Sequence, residues 1–260
     1  MNIDRIGIIG GTNGLGKCFV DFFISKFGTN KEILFSGRQT DITNESIVET
    51  CDLVIFAVPI SHTVEVIQSL AHLSREDQVW MDFTSIKESP VEAMMQSKAE
   101  VCGAHPLFGP VNNPKGQTVV LCPDRIGEDS YQVVRGIFED FQILESTAIE
   151  HDKLMGMVQN LSHFADFVLG KTLKDVGADI PNLMAFSSPP YRIKLDLLAR
   201  IFAQNSVLYA DISSHNHHGR VFEQAFLEAA QFFVSQIRAG NRELISQEFT
   251  EIKAFLGDSF

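Results

Sequence analysis

A histidine that precedes a proline is the first sign of chemistry in this chain. His105 stands in the segment Ala104-His105-Pro106-Leu107-Phe108-Gly109-Pro110, and a residue before proline is held in an extended conformation. Because imidazole titrates near neutral pH, such a histidine can take the proton of a hydroxyl group while hydride leaves the same carbon. Ser85, which follows another strand-like run, could orient that ring by a hydrogen bond. We therefore predict that His105 and Ser85 are catalytic residues of a hydroxyl-oxidising enzyme.

A glycine-rich turn near the N-terminus predicts a dinucleotide site. Glycines here let backbone N–H groups approach a pyrophosphate at the N-terminus of the following helix. The strict pattern G-x-G-x-x-G, anchored on Gly11 and Gly16, has Asn13 in place of its central glycine. Asn is the non-glycine residue that best tolerates left-handed backbone, so we expect the turn to accommodate it. The predicted contacts of this turn are Gly10, Gly11, Thr12, Asn13, Gly14, Leu15 and Gly16.

The ends of the next two strand-like runs bear on the choice of nucleotide. The second run ends in Ser36-Gly37-Arg38, where many NAD enzymes place an acid and NADP enzymes an arginine. Ser36 and Arg38 therefore favour NADP, although Asp41 nearby could still serve NAD. Val58 and Pro59, at the end of the third run, are expected to complete the cofactor site. His62 just beyond them is interpreted as opening the next helix.

The elements that position these residues follow two different patterns. Up to about residue 150, short apolar runs alternate with helical stretches, which is typical of a doubly wound parallel α/β sheet of the Rossmann type. Beyond it the periodicity is helical, and Thr147 with Glu150 forms a capping box. We predict a dinucleotide-binding domain over residues 1–147 and an all-helical domain for substrate binding and dimerisation over 148–260. The predicted strands are Arg5–Gly10, Glu32–Ser36, Leu53–Pro59, Gln78–Asp82, Val101–Gly103 and Thr118–Cys122, and the helices between them include Leu15–Phe27, His62–Leu73 and Asp129–Phe141.

Polar residues on the predicted helices suggest a substrate pocket. The helix that starts near Glu150 carries an apolar stripe, and a second stripe contains Gln159 and His163. Arg200 lies among apolar neighbours on a later helix, two turns after Arg192, and either cation could bind a carboxylate. The apolar stripe comprises Leu154, Met157, Leu161, Ala165 and Val168, and the polar one Asp152, Gly156, Gln159 and His163.

The three histidines His215, His217 and His218 resemble a metal site only superficially. No carboxylate or cysteine stands at ligand spacing beside them, so we predict no metal there.

Composition narrows the class of partner. The formal net charge of −12 argues against nucleic acid, which requires a basic surface. The longest apolar run, Leu53 to Ile60, is far short of the ~20 residues of a membrane span, and no charged-then-apolar signal region precedes Arg5. Four scattered cysteines fit isolated thiols in a reducing compartment. We therefore expect a cytoplasmic protein that binds a small acidic molecule, with no membrane partner.

Taken together, the motifs resemble the TyrA family of prephenate and arogenate dehydrogenases, most closely the dehydrogenase half of the enterobacterial fusion with chorismate mutase. The resemblance covers nearly the whole chain, and no segment resembles the mutase, so a stand-alone dehydrogenase is expected. Besides the glycine turn and the His105 segment, it rests on Asp82-Phe83-Thr84-Ser85-Ile86-Lys87, Glu150-His151-Asp152, Leu161-Ser162-His163-Phe164, Ser187-Ser188-Pro189-Pro190-Tyr191-Arg192, Arg200-Ile201-Phe202-Ala203-Gln204 and Leu208-Tyr209-Ala210-Asp211-Ile212.

The resemblance implies a reaction and a homodimer. His105 would take the 4-hydroxyl proton of prephenate while Ser85 holds the ring, and hydride would pass to NAD or NADP as CO2 leaves, giving 4-hydroxyphenylpyruvate for tyrosine synthesis. The helical domain would form the dimer, chiefly through Val221–Ala239 and Glu243–Leu256. The substrate pocket would be lined by His163, Arg200, Arg192, Gln159 and Tyr209.

Three other interpretations stay open at this level. The substrate could be arogenate or an aminated prephenate on the same fold, although a base such as His105 favours a hydroxyl. A nucleotide-binding regulator without catalysis would not need Ser85, His105, His163 and Arg200 together. A β-hydroxyacid dehydrogenase shares the two-domain plan but would normally carry a catalytic lysine in its helical domain.

Overall fold

A computed structural model describes residues 2–257 and contains one seven-stranded sheet. The strand order is β2-β1-β3-β4-β5-β6-β7, so the chain reverses direction across the sheet between β1 and β3. That reversal is the switch point at which doubly wound sheets bind their ligands. The strands are β1 Arg5–Ile9, β2 Glu32–Ser36, β3 Leu53–Phe56, β4 Val79–Asp82, β5 Glu100–Pro106, β6 Thr118–Pro123 and β7 Gln142–Glu145.

The sheet is parallel except for one pair. β6 runs antiparallel to β5 because a loop with no crossover helix, residues 107–117, joins the two strands. This pairing extends β5 to Pro106, so His105 lies on a strand and not in the loop after it. The predicted Rossmann-type sheet is confirmed, with β7 as a strand that the sequence did not predict. The predicted helix Asp129–Phe141 is correspondingly too long.

Helices cover both faces of the sheet. Two short helices, α2 and α4, were not predicted. The helices of this part are α1 Gly14–Phe27, α2 Asn44–Thr50, α3 Ile60–Leu70 followed by a 3₁₀ turn Ala71–Leu73, α4 Glu88–Met94 and α5 Glu128–Ile137.

A cluster of phenylalanines packs against both segments that were predicted to carry catalytic residues. Phe19 of α1 packs against Phe83, with ring centroids 4.3 Å apart, and Phe83 belongs to the segment that contains Ser85. Phe108, three residues after His105, stacks on Phe141 with an interplanar angle of 10°. Because buried aromatic rings contribute large apolar area with defined geometry, this cluster fixes the loops on either side of the predicted site.

The remainder of the chain is helical. Thr147 caps its first helix by accepting a hydrogen bond from the Glu150 amide, which confirms Thr147 as the N-cap of the predicted capping box. The helices are α6 Ala148–Met155, a π-helical segment Gly156–Leu161, α7 Ser162–Asp175, α8 Ile180–Ala185, α9 Pro189–Phe202, α10 Ser206–His215, α11 Gly219–Arg238 and α12 Arg242–Leu256.

The predicted apolar stripe on the first of these helices does not form the buried face. Leu154, Met157 and Val168 are exposed, whereas His151, Asp152 and Asn160 are buried. One cause is the π-helical segment, whose i→i+5 hydrogen bonds rotate the faces that a regular 3.6-residue helix would present. The exposed apolar side chains continue over α8 to α12, including Phe186, Phe249 and Phe255. None of the helices among residues 2–257 has both the length and the apolar character to cross a membrane.

Candidate active site

The glycine turn lies at the switch point of the sheet. The amides of Gly10 and Gly11 both donate to the Ser36 carbonyl oxygen at 3.0 Å, which joins the turn to the end of β2. Gly10 has a φ of 90°, and a Cβ on Gly16 would lie 2.3 Å from the Gly10 carbonyl oxygen. Glycine is therefore required at both positions, one for backbone conformation and one for close packing of α1 against β1.

Asn13 does not use the left-handed conformation expected of it. Its φ is −145° and its ψ is 167°, an extended backbone that any residue adopts, so the turn accommodates Asn13 without the left-handed tolerance that the sequence argument relied on. Asn13 precedes α1 as its N-terminal capping position, and the left-handed position falls on Gly14, with a φ of 56°. Apart from its chain neighbours and the backbone of its own helix, no atom of the described residues would lie within 4 Å of a Cβ on Gly14, so space is open above the N-terminus of α1.

The other predicted cofactor contacts surround this opening. Val58 lies against Gly10, since a Cβ there would be 3.1 Å from the Val58 Cγ1. Gly37 lies against the Thr12 side chain, which brings the adjoining Arg38 to the edge of the turn as an exposed side chain. Leu15 begins α1 and Pro59 precedes α3. The strand ends and the glycine turn therefore form one cradle, with a cation at its β2 side.

His105 is 3% exposed and is held by a residue of the helical part. Its Nδ1 lies 2.8 Å from the Nε2 of His151 on α6. The predicted hydrogen bond from Ser85 to this ring is not among the hydrogen bonds of the described residues, so that role for Ser85 is corrected. Nδ1 faces α6, an element more than forty residues further along the chain, and the sequence spacing does not reveal that approach.

Asp152 completes a chain of three side chains. The His151 Nδ1 lies 2.7 Å from the Asp152 Oδ1, and the same carboxylate accepts the amides of Lys87 at 2.7 Å and Glu88 at 2.9 Å. An ionised carboxylate only accepts, so His151 donates from Nδ1 and keeps a lone pair on Nε2. His105 then donates from its own Nδ1, which leaves the lone pair of its Nε2 to accept a proton. Asp152 thereby fixes the tautomer in which His105 is a base.

Burial keeps that base neutral. Desolvation lowers the pKa of His105 well below its ordinary value, and the His151 ring and the Lys87 ammonium lower it further. A neutral imidazole at physiological pH is the form that a general base requires.

A buried ion pair braces the strand that carries His105. The Lys87 Nζ contacts the Asp82 carboxylate, and both side chains are 0% exposed. The same ammonium donates to the Ala104 carbonyl oxygen at 2.7 Å, immediately before His105. The segment from Asp82 to Lys87 therefore joins the end of β4 to β5 and fixes the backbone beneath the base.

The predicted polar stripe of the helical part lies around the π-helical segment. The Gln159 Oε1 and the His163 Nδ1 are buried and have no hydrogen-bond partner among the described residues. The His163 ring packs edge-on against Tyr209, with centroids 4.6 Å apart, and burial lowers the pKa of His163 against an opposing effect of Asp166. Buried polar atoms are normally satisfied, so these atoms are candidates for contact with a ligand.

The other predicted residues, Arg200, Arg192 and His62, do not form a single cluster. Arg200 is exposed on α9, next to Ile201 and Phe202, which line a cavity of about 240 Å³ together with Tyr209. The Arg192 guanidinium donates to the Met184 carbonyl oxygen at 3.2 Å, which ties it to the end of α8. His62 is exposed in the first turn of α3, in agreement with its interpretation as part of a helix start.

His151 and Asp152 are the functional residues that the sequence reasoning did not assign. Three signals were available: an adjacent His-Asp pair just inside a capped helix, the place of Asp152 in the predicted polar stripe, and the segment Glu150-His151-Asp152 in the family resemblance. Such a pair is exposed on most helices, and only the packing of α6 against the sheet places it behind His105.

Comparisons with known proteins agree on a family. A family described as the prephenate dehydrogenase nucleotide-binding domain matches residues 29–142, and one described as the prephenate dehydrogenase dimerization domain matches residues 147–256. A probable arogenate/prephenate dehydrogenase of Methanocaldococcus jannaschii is 34% identical and covers 92% of this chain. The T-protein of Haemophilus influenzae is 32% identical and covers 99% of it. The chain spans 58% of the first relative and 68% of the second.

Solved structures show the same fold. Prephenate dehydrogenase from Aquifex aeolicus, in complex with hydroxyphenyl propionate and NAD+, superposes with a TM-score of 0.75 at 18% identity, over 98% of this chain and 97% of that one. Synechocystis arogenate dehydrogenase gives a TM-score of 0.70 at 15% identity, over 95% of this chain and 96% of that one.

Proposed function

This chain belongs to the prephenate dehydrogenase family, and we propose that it oxidatively decarboxylates prephenate to 4-hydroxyphenylpyruvate with NAD or NADP as hydride acceptor. The observation that carries the proposal is the chain from His105 through His151 to Asp152, which leaves one imidazole nitrogen as a buried base. Such a base suits a substrate whose reacting carbon bears a hydroxyl group.

In the proposed reaction His105 moves a single proton. Its Nε2 accepts the proton of the 4-hydroxyl as hydride leaves C4, and the imidazolium that forms is stabilised through His151 by the Asp152 carboxylate. Loss of the ring carboxylate as CO2 leaves its electron pair in the ring, which becomes aromatic. His105 then returns the proton to the phenol oxygen. One substrate and one oxidised nucleotide thus give one product, CO2 and one reduced nucleotide.

The cradle at the switch point fits a dinucleotide. Gly10 and Gly16 admit no Cβ, the space above Gly14 is open, and the N-terminus of α1 offers amides to a pyrophosphate. NAD or NADP, when bound there, supplies the nicotinamide carbon that accepts the hydride. The contacts would come from Gly10 through Gly16, with Ser36, Val58 and Pro59 at the rim. Exposed Arg38 supports NADP, because its guanidinium can bind a 2′-phosphate.

The substrate would lie between the two parts of the chain. The unsatisfied Gln159 Oε1 and His163 Nδ1 support a pocket on the helical side, with Tyr209 against His163. Arg200 would bind a carboxylate. Arg192 already donates to a backbone oxygen, so Arg200 has the greater share of its donors available. Ser85 is proposed as a substrate contact at the end of β4, since it does not hold the His105 ring.

We propose a homodimer formed by the helical domain, with the domains divided as 1–147 and 148–260. Support comes from the exposed apolar side chains of the helical part, among them Phe186 at 90% and Phe249 at 68% exposure. Large exposed apolar side chains that recur over successive helices are typical of a surface covered by a partner. A cytoplasmic location is supported by the four free, buried cysteines.

The test follows the absorbance of the reduced nucleotide with prephenate or arogenate and with NAD or NADP. We expect turnover of prephenate by the wild type and a loss of about 10²- to 10⁴-fold in kcat for His105→Asn. His72→Asn, a change at an exposed histidine of the 3₁₀ turn, is the matched control and should be unaffected. Turnover of arogenate alone would replace the substrate but keep the base, whereas full activity of His105→Asn would refute the mechanism.

A further inference from the structure

Two histidines and one glutamate meet where the α/β part contacts the helical part. Glu88 is the first residue of α4, while His217 and His218 lie in the turn between α10 and α11. One ligand atom from each of the three side chains lies within 4.8 Å of the others. The His218 Nε2 lies 2.5 Å from the Glu88 Oε1. This cluster, Glu88-His217-His218, has no part in the proposed reaction. Glu88 supplies the carboxylate whose absence from the neighbouring sequence was the reason to predict no metal at these histidines.

The backbone on both sides of the cluster is fixed by one residue. The Asp152 carboxylate accepts the Glu88 amide at 2.9 Å. The buried Asn216 side chain donates to the Asp152 carbonyl oxygen at 2.8 Å and accepts the His218 amide at 3.1 Å. The starting points of two of the three side chains are therefore held in place before any ligand arrives, which reduces the entropy that binding must remove.

The chemistry of the three side chains indicates which kind of ligand they would bind. Two imidazole nitrogens and one carboxylate oxygen are typical protein ligands of Zn²⁺, at bond lengths of about 2.0–2.2 Å. Such bonds place donor atoms within roughly 4 Å of each other, so a small rotation of the exposed His217 side chain would complete the set. We propose that Glu88, His217 and His218 bind one Zn²⁺ or a similar divalent transition-metal ion per chain and thereby join the two parts.

The involvement of His217 distinguishes a metal site from a simple hydrogen bond between Glu88 and His218. Glu88 and His218 alone could form a hydrogen-bonded pair between the two parts, which would not involve His217. The His217 ring lies over that of His218, with centroids 4.1 Å apart, and is exposed. His215, by contrast, is engaged elsewhere, with its Nδ1 2.9 Å from the Asp211 carbonyl oxygen. It provides a matched control in the same turn.

The experiment uses full-length protein freed of metal by a chelator and titrated with Zn²⁺ in a calorimeter. We expect saturable binding of one ion per chain, at least tenfold weaker in His217→Ala and Glu88→Gln and unchanged in His215→Ala. Co²⁺ serves as a spectroscopic probe, since its visible absorption should intensify in the wild type and not in His217→Ala. Added Zn²⁺ should also raise the unfolding temperature of the wild type and of His215→Ala.

Four results would overturn the proposal, and the first three concern binding in the wild type, His217→Ala and Glu88→Gln. They are absence of stoichiometric binding, equal affinity in the wild type and His217→Ala, and equal affinity in the wild type and Glu88→Gln. A loss in His215→Ala as large as that in His217→Ala would also overturn it, because the site would then be an unspecific histidine-rich turn. Because His217 is exposed, its alanine variant should fold even if Glu88→Gln weakens the contact between the two parts. None of these outcomes depends on the dehydrogenase reaction.

Discussion

Replacing His151 by leucine should slow the chemical step without weakening substrate binding. His151 is 2% exposed and contacts His105, and it is not among the residues proposed to bind the substrate. Leucine removes the acceptor of the His105 Nδ1–H, so neither the tautomer nor the orientation of the base is fixed. His151→Gln is the matched variant, because its amide oxygen can lie near the former Nε2 position and accept the same proton.

The size of the effect follows from the hydrogen bond that is lost. In the transition state His105 is an imidazolium, and a hydrogen bond to a charged group contributes about 1.5–3 kcal/mol. At about 1.4 kcal/mol per factor of ten, kcat should fall by roughly 10- to 160-fold in His151→Leu. His151→Gln should recover most of that loss. His105→Asn should be the slowest variant, because it removes the base itself.

The assay is steady-state turnover of prephenate across pH, with thermal unfolding as a check on folding. KM should change little. The acid limb of kcat/KM reports the protonation of the base, so its position should be compared between the wild type and both variants. Equal rates for the wild type and His151→Leu would refute the relay. Equal loss in the leucine and glutamine variants would show that the acceptor at this position is not what matters.

Four further outcomes can be measured. Gly16→Ala places a Cβ 2.3 Å from a backbone oxygen of the turn, so the KM for nucleotide should rise at least tenfold while that for prephenate stays constant. Lys87→Met leaves Asp82 charged and unpaired at 0% exposure and should cost about 3–5 kcal/mol in urea unfolding, part of which the double variant with Asp82→Asn should restore. Arg38→Ala should raise the KM for NADP far more than that for NAD; an equal rise would remove the cofactor argument. Because the folded pKa of His105 lies below its unfolded value, stability should fall as pH drops below about 6.5, by up to about 1.4 kcal/mol per pH unit, and this slope should be smaller in His105→Asn.

Local pattern was sufficient for most of the fold. Continuous apolar runs identified β1 to β6, and the Thr147 capping box located the start of the helical part. The local pattern did not predict the features that depend on hydrogen bonding between neighbouring strands. β7 has only the four residues Gln142–Glu145, mostly exposed, so its sequence carries no buried-strand signature and it forms because β6 offers a free edge. The length of β5 likewise depends on its antiparallel partner.

The candidate site, like the fold, could be predicted only where the sequence restricts the backbone locally. His105 and the glycine turn could be proposed from sequence because proline and glycine restrict the backbone locally, and such restrictions are visible in sequence. The partner of His105 was assigned wrongly because a serine at a neighbouring strand end is a plausible partner, while the actual one is on α6. The tolerance of Asn13 for left-handed backbone entered the argument because the glycine pattern was aligned strictly, whereas the turn places that conformation one residue later, on Gly14.

The position of Asp152 makes the competence of the base depend on contact between the two parts of the chain. Its carboxylate accepts the amides at the start of α4 and the His151 proton, and its carbonyl oxygen accepts the Asn216 side chain. His105 stands on the sheet, yet its tautomer is set by two residues of α6. If the two parts separate, the Nδ1 of His105 loses its acceptor and its burial together, so its pKa should rise toward the ordinary value. Docking of the helical part is therefore the step that turns a strand histidine into a base, and Asn216→Ala, which loosens that docking without touching the ring, should lower kcat and shift the acid limb to higher pH.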